Sequence, residues 1–133
     1  MDAALARIVW QRARERCEYC MLPNALSVVP FEIDHVIPQK HGGTTVEENL
    51  ALACFYCNRY KGPNIAGFDP QSRQLSRLFN PRHDIWDQHF EWTSNRIEGH
   101  TATGRATVEV LRLNHSEMLT VREALREEGV FPF

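Results

Sequence analysis

Apolar residues recur at three- and four-residue spacing at the start of the chain. Leu5, Ile8, Val9 and Ala13 share one side, while Arg7, Gln11, Arg14 and Glu15 face elsewhere. That period predicts an amphipathic helix over residues 2–16, with Trp10 at the margin of its apolar stripe. Leu22-Pro23-Asn24 then signals a turn. From Val28 to Val36 β-branched and aromatic residues crowd together as they do in a strand, and Pro38 ends it. Gly42-Gly43 breaks the pattern, and Thr44 or Thr45 is placed to cap a short helical turn through Glu47 and Glu48. Leu50-Ala51-Leu52 reads as a second strand. Phe55 to Lys61 begins a helix that Gly62-Pro63 stops.

Past that point the periodicity thins. Residues 63–82 read as loop, punctuated by Pro63, Gly67, Pro70 and Pro81. Trp86, Phe90 and Trp92 form an aromatic run that suits a buried core better than a base-stacking platform. Ser94-Asn95 then supplies a turn before Arg96-Ile97-Glu98, which predicts a hairpin. Ala106, Val110, Leu111 and Leu113 give helical spacing across Thr103 to Asn114. Ser116 caps a last helix to Glu128, ended by Gly129. The order is helix, strand–strand–helix core, loop and hairpin, two helices. It predicts one α+β domain over residues 1–133, with a core at 17–62 and a tail at 63–133 packed on it.

Composition narrows the function less than the pattern does. A chain of 133 residues with 43% hydrophobic content suits one globular domain. The net charge is −2, and neither half restores a basic field: residues 1–62 carry seven Lys/Arg and seven Asp/Glu, residues 63–133 eight and ten. Tight non-specific binding of nucleic acid, which depends on neutralising phosphates, is therefore not expected, although a small basic cleft is compatible with that balance. No stretch is apolar for the roughly 20 residues a membrane span needs. The start, with Arg7, Arg12, Arg14 and Arg16 inside its apolar pattern, does not read as a secretory signal, so a reduced, cytoplasmic protein is expected.

Four cysteines carry the strongest chemical signal. Cys17-Glu-Tyr-Cys20 and Cys54-Phe-Tyr-Cys57 are two Cys-x-x-Cys knuckles separated by the 33 residues from 21 to 53. Each knuckle turns tightly enough to put both sulfurs on one ion, and four thiolates suit tetrahedral Zn²⁺. The same ligands suit an Fe–S cluster or a redox pair. A closed four-sulfur shell has no free position, so the metal is expected to fold the chain. The separation exceeds the roughly 15–20 residues of a zinc ribbon, as though a working loop were inserted between the knuckles. That insert holds Glu32, Asp34-His35, His41 and Asn49, and Asn58 follows Cys57 directly. Each alone is an ordinary polar residue of a turn or cap. Together, inside the knuckles, they form a candidate site, and Arg59 and Lys61 beyond them are candidates for holding phosphates.

The pattern Cys-x-x-Cys, Asp-His, Gly-Gly, Glu-Asn-Leu, Cys-x-x-Cys-Asn, Lys-Gly resembles the four-Cys branch of the HNH endonucleases, which have the ββα-metal fold. The likeness covers residues 17–62. Leu78-Phe-Asn-Pro-Arg82 and Gly104-Arg-Ala-Thr107 also look like the tail of small stand-alone bacterial members. The resemblance implies that His35 is the general base and that Asn49 holds the His-bearing loop. It implies that Asn58 stands at the third signature position, as in the HNH domain of CRISPR effector nucleases, and ligates a divalent cation with Asp34. An Asp carboxylate and an Asn carbonyl are hard oxygen donors suited to Mg²⁺ or Mn²⁺. Glu32, on the same strand face as Asp34, would stand beside that ion, and His41 could touch phosphate. The implied activity is hydrolysis of DNA phosphodiester bonds, and a two-fold homodimer would suit double-strand cutting. The alternative is a zinc-stabilised nucleic-acid-binding or interaction module without turnover.

Overall fold

The computed structural model describes residues 1–133. It contains four helices and three separate two-stranded antiparallel hairpins. The first helix, α1 (Ala3–Arg12), is capped by Asp2, whose carboxylate accepts from the Ala4 amide at 3.1 Å. It ends before the predicted residue 16 because Arg14 and Glu15 turn left-handed, with φ of 55° each, to bring the chain into the first knuckle.

Strand β1 (Glu32–His35) pairs with β2 (Leu50–Ala53) in the register Glu32↔Ala53, Ile33↔Leu52, Asp34↔Ala51, His35↔Leu50. The predicted strand from Val28 is therefore much shorter. Its partner is only four residues long, and Val28 is left fully exposed. Alternation puts Glu32 and Asp34 on one face beside Ala51 and Ala53. Those small alanines let α2 (Phe55–Lys61) lie close on that face. Leu50 and Leu52, alternating to the other face, are wholly buried. The first knuckle seals the outer edge of β2: the Glu18 amide donates to the Leu52 carbonyl, and the Leu52 amide to the Glu18 carboxylate, both at 2.9 Å.

The stretch 63–82, expected to be loop, holds a short hairpin of β3 (Ala66–Phe68) and β4 (Leu75–Arg77). Its turn is tied by Asp69, which accepts from the amides of Gln71 and Ser72 and from the Arg105 side chain at 2.8 and 3.0 Å. Phe68 and Leu75 leave most of their surface in water, so the strands show no buried-face alternation to read. The second predicted hairpin forms as β5 (Phe90–Thr93) and β6 (Arg96–Gly99), turning at Ser94-Asn95.

Helix α3 (Ala102–Val110) is capped by Thr101. It ends earlier than its periodicity suggests, where Arg112 turns left-handed at φ 48°. Helix α4 (Ser116–Glu127) has His115 at its cap position with no side-chain cap bond, so Ser116 is its first residue and not its cap. Gly129, at φ 77°, closes it. The tail packs on the core at named points. The Trp86 indole donates to the Tyr19 carbonyl at 2.9 Å, and Arg82 forms an ion pair with Glu18. The Phe79 amide donates to Thr107 Oγ1 at 2.8 Å, which joins the two tail stretches singled out in the sequence. One hydrophobic cluster runs from Val9 through the knuckles to Leu125 and Phe131. No helix is long and apolar enough to cross a membrane.

Candidate active site and metal centre

The two knuckles bring Cys17, Cys20, Cys54 and Cys57 together as unpaired, buried thiols whose sulfurs all lie within 4.8 Å of one another. The Cys20 and Cys54 sulfurs are 3.7 Å apart. The edge of a tetrahedron with about 2.3 Å Zn–S bonds is about 3.8 Å, so the shell has the size of a four-thiolate metal site. Each knuckle also carries its own support: the Cys20 amide donates to Cys17 Sγ and the Cys57 amide to Cys54 Sγ, both at 3.4 Å. Cys54 is at the same time the cap of α2, so the metal shell and the helix begin at one residue. Hydrogen bonds from Cys17, Cys20 and Cys57 pull the Cys54 thiol far down. The bond with Cys17 leads in pushing Cys20 and Cys57 up. Four thiolates held this close in a buried site need a cation among them.

The other end of the same hairpin opens to solvent in a cleft of about 240 Å³, with Asp34, His35, Gln39 and Asn58 among its lining residues. The loop that carries it is held by Asn49. The Asn49 side chain accepts from the Ile37 amide at 2.8 Å and donates to the carbonyls of Ile37 and Thr44 at 2.9 Å each. Gly43 makes that closure sterically feasible: a Cβ there would stand 1.6 Å from the Ile37 carbonyl oxygen. Gly42 takes the left-handed conformation at φ 89°. The same loop presents Thr45, whose hydroxyl meets His35 Nε2 at 2.8 Å. His41 lies exposed, its Nε2 against the Pro63 carbonyl at 2.9 Å, and does not line the cleft.

On the α2 side, the Asn58 amide nitrogen donates to the exposed Glu32 carboxylate at 2.5 Å, which leaves its Oδ1 uncommitted. Asp34 is buried. Its Oδ2 accepts from the Tyr19 hydroxyl at 2.7 Å and lies 3.0 Å from Lys61 Nζ, while its Oδ1 is 3.3 Å from the same nitrogen. Lys61 also donates to the His35 carbonyl at 3.1 Å. Burial pushes the Asp34 carboxyl up, with Lys61 and the Tyr19 hydroxyl opposing that shift. Burial, then the Asp34 charge, holds the Tyr19 hydroxyl well above its ordinary range.

Lys61 departs from its predicted place. It was expected on the surface as a phosphate contact, but it is 1% exposed and committed to the Asp34-His35 turn. The position of α2 over the alanine face accounts for this, since one helical turn beyond Asn58 lies directly above Asp34. Arg59 is exposed as expected, with its guanidinium 5.9 Å from the centre of the Phe55 ring. Sequence reading missed Tyr19 and placed Thr44 or Thr45 only as a helix cap, whereas Val46 holds the cap position before Glu47–Asn49 and Thr45 meets His35 instead. Tyr19 has a sequence signal, a phenol inside a knuckle beside an Asp-bearing strand, but its partner is visible only once the chain is folded.

Comparison with known proteins finds similarity over the same segment. The family model described as HNH endonuclease matches residues 17–64. A relative from Bacillus thuringiensis, the Septu protein PtuB, is 25% identical over 111 residues, covering 82% of this chain and 40% of the relative. The chain thus spans about 40% of the length of the curated relative it matches. No solved structure matches it. Both knuckles, the hairpin, α2 and the cleft lie inside residues 17–64, the segment that is similar to the HNH endonuclease family.

Proposed function

We propose that the protein is a metal-dependent endonuclease that hydrolyses DNA phosphodiester bonds, with Zn²⁺ in the four-cysteine shell and a second divalent cation at the cleft. The observation that carries this reading is the meeting of His35, Asp34 and Asn58 in one solvent-open cleft, on a hairpin whose far end is closed by the cysteines. His35 is the base. With Nε2 against the Thr45 hydroxyl, Nδ1 is the nitrogen available to take a proton from water. The resulting hydroxide attacks phosphorus, the bond to the 3′ oxygen breaks, that oxygen takes a proton from solvent water, and the products are a 5′-phosphate and a 3′-hydroxyl.

Asp34 and Asn58 would hold Mg²⁺ or Mn²⁺, which supplies charge stabilisation at the phosphate and the departing oxygen. Asp34 Oδ1 meets only Lys61, at 3.3 Å, and an ionised carboxylate has about four acceptor positions, so capacity remains toward the cleft. Glu32 fixes the Asn58 amide with its nitrogen turned away, which leaves the oxygen as the donor to a hard cation. Lys61 and Tyr19 orient Asp34 before any ion arrives. Arg59 is the basic side chain next to the site that remains free to meet a phosphate. With a net charge of −2, the grip on DNA is local and sensitive to salt. Four unpaired thiols suit a reducing compartment such as the cytoplasm.

The test is cleavage of supercoiled plasmid with Mg²⁺ or Mn²⁺. His35→Ala should remove cleavage while zinc content and circular dichroism stay as in the wild type, and an unchanged rate sinks the general-base role. If neither protein cleaves but both hold zinc and bind DNA, the domain is a binding module.

A further inference from the structure

A second depression lies outside the cleft, between the end of α1, the first knuckle and the tail. It is a cavity of about 560 Å³, and Arg12, Arg14, Arg16, Met21, Pro81 and Trp86 are among the residues that line it. Folding puts the three arginines there. Helix α1 closes at Arg12, and the left-handed turn of Arg14 and Glu15 leads the chain into the knuckle. An isolated β-bridge to Pro23 then fixes Arg16. Glu15, although it stands between Arg14 and Arg16 in the chain, does not line the cavity.

None of Arg12, Arg14 and Arg16 forms an ion pair. The Arg12 guanidinium donates through one nitrogen to the Leu50 carbonyl, a neutral partner. Both carboxylates of the lining are neutralised by arginines that lie outside it: Glu18 by Arg82, and Asp84 by Arg77 at 2.6 and 2.9 Å. Three cations without a paired carboxylate on one cavity stand out in a chain of net charge −2. The wall between them is apolar, with Met21, Pro81 and the half-buried Trp86. A neighbouring cavity of about 570 Å³ shares Arg12, Glu18 and Pro81 with the first and adds His83, so the two form one elongated groove. Glu47 and Glu48 line only this second part.

Planar guanidinium groups suit phosphate oxygens, and an apolar wall that includes an indole suits sugars and bases. A free nucleotide would need only one part of the groove, whereas its length and its series of arginines suit a strand. We propose that this groove holds a single-stranded stretch of nucleic acid, with phosphates on Arg12, Arg14 and Arg16 and bases against Trp86. The groove shares no residue with the cleft, so it holds a strand whether or not the cleft cuts. Arg12 links the two places, because Leu50, to which it is tied, is the partner of His35 across the hairpin. A strand in the groove is therefore anchored on the far side of β2 from the base.

The experiment is fluorescence anisotropy of a labelled oligothymidylate with the full chain, without added Mg²⁺ or Mn²⁺ so that nothing is cut. Arg14→Gln with Arg16→Gln should weaken binding several-fold and flatten the slope of log affinity against log salt by roughly 0.7 for each arginine removed. Arg7→Gln with Arg73→Gln makes the same change of charge at exposed positions off the groove and should bind as the wild type does. Equal loss in the two double variants, or no loss in the first, overturns the proposal. A readout on the wild type guards against a variant that does not fold: the oligonucleotide should block phenylglyoxal labelling of Arg14 and Arg16 and leave that of Arg7 and Arg73 unchanged. Labelling of Arg14 and Arg16 that the oligonucleotide does not alter overturns it as well. Displacement of the strand by a nucleoside triphosphate, or by polyglutamate, as effectively as by unlabelled oligothymidylate would also overturn it, and would reassign the groove to a free nucleotide or an acidic peptide. None of these outcomes bears on His35→Ala, whose plasmid assay tests the cleft separately.

Discussion

Cys57 and Asn58 are neighbours in α2, yet the first faces a closed shell of buried sulfurs and the second an open cleft. Both ends share the β1–β2 hairpin and α2, and the knuckle of Cys17 and Cys20 completes the cysteine end. At the cysteine end all four side chains are within 3% of full burial, and each knuckle supplies its own amide to a sulfur. At the cleft end Asp34 is buried, His35 and Asn58 are half-buried and Glu32 is in water. A full tetrahedral shell has no position for a substrate and can only hold the chain together. A cleft with two or three oxygen donors is a poor staple and a good place for phosphate and water. The contrast puts a closed shell and an open cleft on one short segment.

The largest effect should follow from breaking the closed end. Structural zinc is worth on the order of 10–16 kcal/mol in small metal-dependent domains. Cys54→Ser, or prolonged chelation, should therefore abolish the cooperative melting transition and any cleavage with it. A metal-free chain that melts as sharply as the wild type would show that the shell is not a staple.

Lys61 tests whether the open end depends on a buried charge. Lys61→Met leaves the Asp34 carboxylate buried with only Tyr19 as partner, and breaking such a pair typically costs about 3–5 kcal/mol. Chemical denaturation should show a loss of that size, and Asp34→Asn in the same chain should restore part of it. Equal stability of wild type and Lys61→Met would mean that the ion pair is dispensable.

A third change separates the two ends from each other. Gly43→Ala forces a Cβ into the Ile37 carbonyl and displaces the loop that Asn49 and Thr45 belong to. Cleavage should fall at least tenfold (about 1.4 kcal/mol of transition-state stabilisation), while zinc content is unchanged. Loss of zinc together with activity would join what the structure keeps apart.

The smallest effect compares two buried carboxylates. Burial pushes Asp34 up, whereas hydrogen bonds from Arg105, joined by the amides of Gln71 and Ser72, hold Asp69 well below the usual range. A carboxyl depressed by folding adds stability above its unfolded pKa of about 3.9, and that stability is lost as pH falls toward the folded value. The wild-type melting temperature should drop more steeply below about pH 4 than that of Asp69→Asn. Parallel curves would remove Asp69 from the acid response.

Much of the core is legible in the sequence because its signals are local. The knuckles announce themselves by spacing, and the predicted bounds of α2, Phe55 to Lys61, match the helix because Cys54 caps it and Gly62 stops it. Ser94-Asn95 marked the β5–β6 turn equally well. What escaped depends on partners distant in sequence. The β3–β4 hairpin is short and exposed, and it is secured by Arg105 from another helix. Lys61 and Arg122 look like surface cations until α2 and α4 are seen to dock. Spacing suggested that Asp34, His35 and Asn58 lie together, and they line one cleft, but nothing in the sequence shows that Lys61 grips Asp34 from behind.

The central claim is that one hairpin carries two ion sites of opposite character, and a metal count tests it most directly. Purified protein dialysed against metal-free buffer should retain one zinc per chain. Titration with Mn²⁺, followed by paramagnetic resonance, should then reveal a second and weaker site that is lost in Asn58→Ala with zinc retained. No Mn²⁺ uptake, or uptake that Asn58→Ala leaves unchanged, would contradict it.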